Sequence, residues 1–152
     1  MYSFKIQIMK SFITSIVFTL LITVSASKSA NAQRLFDGIP EQMNFDNKVI
    51  EGLFNMNAGS AINVKFSQNF HLTGMIKSND KVYANLQTVV IECTNYNKVK
   101  LFISKRINDD KSIKYVGRII GRTAEDGFEI KGEPLAGNSS LTKINLKEMI
   151  VE

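Results

Sequence analysis

The sequence predicts a mainly β protein: an antiparallel meander of six or seven strands forming a partly closed barrel or sandwich, with one short N-terminal amphipathic helix. Three observations carry that expectation. From Ser60 onward apolar and polar residues alternate with a period of two, as in a strand that buries one face. The alternating runs are short and evenly punctuated by Asn, Asp, Ser and Gly, which accept turn geometry or bond to their own backbone. Before Ser60 one stretch instead carries the spacing of a helix face.

Residues 1–32 read as a cleavable secretory signal peptide. Lys5 and Lys10 make the first ten residues positive, and no charged side chain occurs from Ser11 to Ser27. Ala30-Asn31-Ala32 before Gln33 is the small-x-small pattern a signal peptidase accommodates. A retained anchor competes with this reading, since 17 uncharged residues reach the short end of the roughly 17–25 a spanning helix needs. The Thr and Ser content of the run and the placement of the cleavage pattern favour removal. No cysteine near the site offers lipid attachment. The expected product runs from Gln33 to Glu152, has no membrane span and is exported to the periplasm or secreted.

Residues 33–59 supply a lead-in, with a turn at Gly38-Ile39-Pro40, and then the helix. Val49, Ile50, Leu53 and Phe54 fall on one face at i, i+3, i+4 spacing. Asp46 or Asn47 can cap its start, and Asn57-Ala58-Gly59 stops it.

Residues 60–152 form the β domain, so that 33–152 make a single domain. Ile62, Val64 and Phe66 alternate with Asn63 and Lys65, and after Ser67-Gln68-Asn69 a second strand carries Phe70, Leu72 and Ile76. Further strands are expected at Tyr83 to Cys93, Lys98 to Lys105, Ser112 to Gly121 and Gly127 to Lys131. Turns fall at Lys77 to Asp80, Thr94 to Asn97, Asn108 to Lys111 and Glu125 to Gly127. Gly74 and Gly117 interrupt apolar strand patterns, as bends at a barrel corner do. Glu133 to Ser140 reads as a loop, and Leu141 to Val151 as a final strand ending in a helical turn.

Charge removes one class of function. The chain has 19 Lys and Arg against 14 Asp and Glu, but Lys5, Lys10 and Lys28 leave with the signal peptide, so 16 face 14 and the formal charge falls from +5 to +2. A nucleic-acid protein keeps a strong basic excess. The single cysteine, Cys93, has no partner for an intramolecular disulfide, and alternation with Val89 and Ile91 places it inward as a small hydrophobe.

The inventory for catalysis is thin. His71 is the only histidine and points opposite Phe70 and Leu72, so zinc lacks its three or four ligands and a Cys93–His71 nucleophile pair is split between two faces. Asp109-Asp110 and Glu125-Asp126 sit in turns, where adjacent carboxylates are ordinary solvated turn formers. Asp37-Gly38 and Asp126-Gly127 lack the further oxygen ligands of a calcium loop. No cofactor and no enzymatic activity are expected.

One face stands above background. With Val99, Leu101, Ile103, Ile113 and Tyr115 inward, Lys100, Phe102, Lys114, Val116, Arg118 and Ile120 share the other side of two neighbouring strands. Either the helix covers Phe102, Val116 and Ile120 while the basic heads reach past it to water, or the face contacts a protein or an anionic glycan of the cell envelope.

The run VVIECTNYNKVKLFISKRINDDKSIKYVGRII, followed by EDGFEIKG, resembles small exported bacterial β-domains and, more remotely, the β-rich pro-regions that precede secreted metalloprotease domains. The likeness lies in the order of a Gly-bent strand (Leu72 to Ile76), a Lys-rich strand, the Tyr115 to Gly117 strand and an Asp-Gly hairpin. It implies a free-standing inhibitory or chaperone-like module and assigns no functional residue. Together these readings predict an exported non-enzymatic binding module, with a small barrel carrying an apolar ligand as the alternative.

Overall fold

A computed structural model describes residues 34–132 and 137–150; the predicted signal peptide lies outside them. Eight antiparallel strands form one sheet: β1 (Gln42–Asp46), β2 (Ala61–Lys65), β3 (His71–Tyr83), β4 (Leu86–Cys93), β5 (Val99–Ile107), β6 (Ile113–Gly121), β7 (Asp126–Gly132) and β8 (Asn138–Asn145). Their order is β1-β8-β7-β6-β5-β4-β3-β2, a meander from β2 to β8 with β1 added beyond β8. The sheet curls into a half-barrel. Closure is incomplete because β1 and β2 are its two edges and share no ladder, although Phe45 and Phe66 bring the edges together ring against ring, their centroids 5.0 Å apart.

The strand missed by periodicity is β1. Met43 and Phe45 alternate there with Gln42, Asn44 and Asp46, but the partner strand starts at Asn138, inside the stretch expected to be a loop. The expected turn at Lys77 to Asp80 is also corrected. β3 runs on to Tyr83, with a register shift between Ile76 and Ser78, and the chain reverses at Ala84-Asn85. A bulge adds one residue and so exchanges the faces beyond it. Asn79 thereby lies opposite inward Val89, and its amide donates to the carbonyls of Phe54 at 3.1 Å and Met56 at 2.6 Å. Gln87 joins it, donating to Phe54 O at 2.7 Å and Asn79 Oδ1 at 2.8 Å.

Those carbonyls end the helical segment, which is one α turn, α1 (Lys48–Glu51), continuing as a 3₁₀ turn over Gly52–Asn55. Asp46 Oδ1 accepts the Lys48 N–H at 2.8 Å, and Gly59 leaves the segment at φ +88°, a conformation glycine adopts without strain. Ile50, Leu53 and Phe54 are buried. The segment fills the concave side, where Phe54 meets Tyr115 of β6 at 5.6 Å between centroids.

The lead-in enters the same interior. Phe36 is fully buried and meets Phe70 and Phe128 edge-on, at 5.8 and 5.2 Å. Phe70 in turn reaches Phe128 across the curl at 5.1 Å. Each such ring contributes roughly 1.5–3 kcal/mol by leaving water. Asp126 is corrected from solvated turn former to buried anchor: its carboxylate accepts the N–H groups of Leu35 at 2.7 Å and Phe36 at 3.0 Å.

Gly74 and Gly117 both lie within regular ladders, where the neighbouring strand passes close by. A Cβ on either would press on the backbone carbonyl of the adjacent strand, at Glu92 and Phe102 respectively, so this close approach of the backbones requires glycine. The last strand does end in a helical turn, 3₁₀ over Glu148–Ile150.

Candidate interaction face

Inward side chains of β5 to β7 (Val99, Leu101, Ile103, Tyr115, Ile119, Phe128 and Ile130) are all buried. The pleat therefore sends the intervening residues to the convex side. All six predicted residues lie there. Register places Phe102 directly opposite Arg118, Lys100 opposite Ile120, and Val116 opposite Ser104, while Lys114 faces Arg106. Val116 and Ile120 thus flank Phe102 diagonally.

The expectation that the helix covers Phe102, Val116 and Ile120 is overturned, because α1 and its 3₁₀ extension lie on the other side of the sheet, against Tyr115. An inner face richer in large apolar side chains captures the amphipathic segment. Phe102 stays 39% exposed and Val116 40%.

The strand expected at Gly127 to Lys131 is β7, and it adds two residues to this face that the six predicted ones do not include. Glu129 lies opposite Arg118 and Lys131 opposite Val116, a placement readable from inward Phe128 and Ile130 once β7 is known to follow β6 in the sheet. Lys131 Nζ bonds Glu129 Oε2 at 2.8 Å, and Arg118 approaches Glu129 Oε1 at 3.6 Å. Lys131, then Arg118, hold the Glu129 carboxyl below the usual carboxylate range. Among the described residues no carboxylate lies within ion-pair distance of Lys100, Arg106 or Lys114. Phe102, Val116, Ile120, Arg118, Lys114 and Lys131 border an open groove of about 630 Å³, inside the ~300–1,000 Å³ of ligand clefts.

The remaining reactive groups are dispersed. Cys93 is buried and inward, and burial pushes its thiol up to about 11. His71 is exposed, opposite Lys65 at the start of β3. Asp110 is a turn former, its carboxylate held low by the Ser112 hydroxyl at 2.6 Å and N–H at 2.9 Å. Among the described residues no three His, Cys, Asp or Glu side chains converge as metal ligands, and no helix is long and apolar enough to cross a membrane.

No protein-family model, curated protein or solved structure matches this chain.

Proposed function

We propose that the protein is an exported, non-enzymatic binding module that engages its partner through the convex face of β5 to β7. One observation carries the reading: the only described helical segment large enough to cover a face of the sheet packs inside it, leaving Phe102 and Val116 about 40% exposed among basic side chains. A mixed apolar and basic patch left open by folding is the usual mark of an interaction surface. The charged n-region, uncharged run and Ala30-Asn31-Ala32 pattern support export to the periplasm or beyond.

The carrier alternative needs interior space. Phe36, Phe70 and Phe128 fill the concave side, each with no exposed surface, so packing favours the convex face.

The test is crosslinking with mass spectrometry in the source cell envelope, using the native protein and a variant carrying Lys100→Ala, Phe102→Ala and Arg118→Ala together. The variant is expected to keep its circular dichroism spectrum and lose the crosslinked partner. Retention of the same crosslinks by the folded variant overturns the proposal.

A further inference from the structure

Building on the reading of this face as a binding surface, we infer that its occupant is an anionic glycan, a linear polysaccharide chain bearing carboxylate or sulfate groups. Three features of the face select that chemistry.

The first is charge. Lys100, Arg106, Lys114, Arg118 and Lys131 share the convex side of three adjacent strands with one carboxylate, Glu129, and the next carboxylate on that side, Glu92 of β4, stands opposite Lys100 and is paired with Lys77. The whole stretch from Gln33 to Glu152 carries a formal excess of only two, so the basic character is concentrated here. Glu129 is already engaged by Lys131 and Arg118, and the guanidinium keeps donors in the fork geometry that suits carboxylate and sulfate oxygens.

The second is the arrangement of apolar surface between those charges. Lys114, Val116, Arg118 and Ile120 occupy alternate positions of β6, with Phe102 across from Arg118. At about 3.3–3.4 Å per residue, Lys114 and Arg118 stand roughly 13 Å apart with Val116 between them. A sugar ring has an apolar C–H face and polar or anionic edges. An open groove with an aromatic and two aliphatic side chains in its lining and cations along its length matches that amphipathic ribbon.

The third is what the face withholds. β5, β6 and β7 are each paired on both sides, so an extended acidic peptide finds no main-chain ladder here; strand addition needs a free edge, which only β1 and β2 provide. A bilayer surface requires apolar side chains standing proud enough to enter the headgroup boundary. Phe102 and Val116 are instead more than half covered by their neighbours.

Titration calorimetry on the purified protein tests this with five probes: heparin-derived oligosaccharides (sulfated), oligogalacturonate (carboxylated), neutral dextran, poly-glutamate, and vesicles rich in phosphatidylglycerol. The sulfated or the carboxylated oligosaccharide is expected to bind at least tenfold more tightly than dextran, poly-glutamate or vesicles. Phe102→Ala should weaken that binding at least fivefold, Lys100→Gln with Lys114→Gln at least tenfold, and Lys65→Gln on β2 not measurably. Poly-glutamate binding as well as the glycans, vesicles binding better, or indifference to Phe102→Ala in a protein of native spectrum each overturns the inference. If no glycan binds while the triple variant still loses its envelope crosslinks, the glycan falls and the binding face stands. If the crosslinks persist, both fall.

Discussion

The two faces of β5 to β7 are built from the same nine-, nine- and seven-residue strands and share every backbone hydrogen bond, yet they do opposite things. The concave side buries Val99, Leu101, Ile119, Phe128 and Ile130 completely. Its convex side leaves a phenylalanine and a valine about 40% exposed, with basic residues around them. The contrast teaches that folding consumes one face only. Residues on the other are free of the packing constraint, so their pattern is informative about partners.

The strongest way to break this contrast is Phe128→Ala on the inner side. Loss of a ring that touches Phe36 and Phe70 should cost about 3–5 kcal/mol in urea unfolding; a cost under 1 kcal/mol would mean that the interior is loosely filled. Next comes pH. A thiol at about 11 in the folded chain, against about 8.5 unfolded, loses its proton first in the unfolded state. Its contribution is therefore whole below about pH 8.5 and declines as pH rises toward 11, by on the order of 3 kcal/mol. Cys93→Ala should lack that component, and a Cys93 that reacts with a thiol reagent in the native state as fast as in urea would refute its burial.

Asn79→Ala sharpens the comparison further, since it leaves the carbonyls of Leu53, Phe54 and Met56 with fewer donors. The expected loss is about 1–3 kcal/mol, with faster hydrogen exchange around the α1 segment as its signature. The smallest effect belongs to the convex triple variant used in the crosslinking test. Its unfolding free energy should move by less than about 1 kcal/mol, although its effect on capture is the largest.

Much of this was legible in the residues. Alternation from Ser60 carries most of the inward set, the meander from β2 to β8 and the convex positions of β5 and β6, because a period of two leaves a side chain only two directions. β1 escaped because its partner lies about a hundred residues away, so no hairpin turn announces it. The bulge at Lys77 was hidden by Ser78-Asn79-Asp80, a composition that suits turns equally well. Only the nearby carbonyls of Phe54 and Met56 explain Asn79. For the same reason Asp126 looked like a surface residue: its partners, the N–H groups of Leu35 and Phe36, are some ninety positions earlier. The side of the sheet taken by the helix was equally unreadable, since an amphipathic stripe fits either face.

The seam between β1 and β8, where Gln42 lies opposite Thr142, reverses the order of synthesis. A ribosome makes β1 before the other described strands, yet the neighbour that completes its ladder, β8, is the last of them to emerge. Hairpins between β2 and β8 close over short distances and form readily, whereas this junction must wait and carries a larger loop-closure entropy. Until then Met43 and Phe45 stay uncovered and the outer side of β8 offers unpaired amides, a template for neighbouring chains. Truncation before residue 138 should thus leave a sticky half-product, not a smaller stable protein.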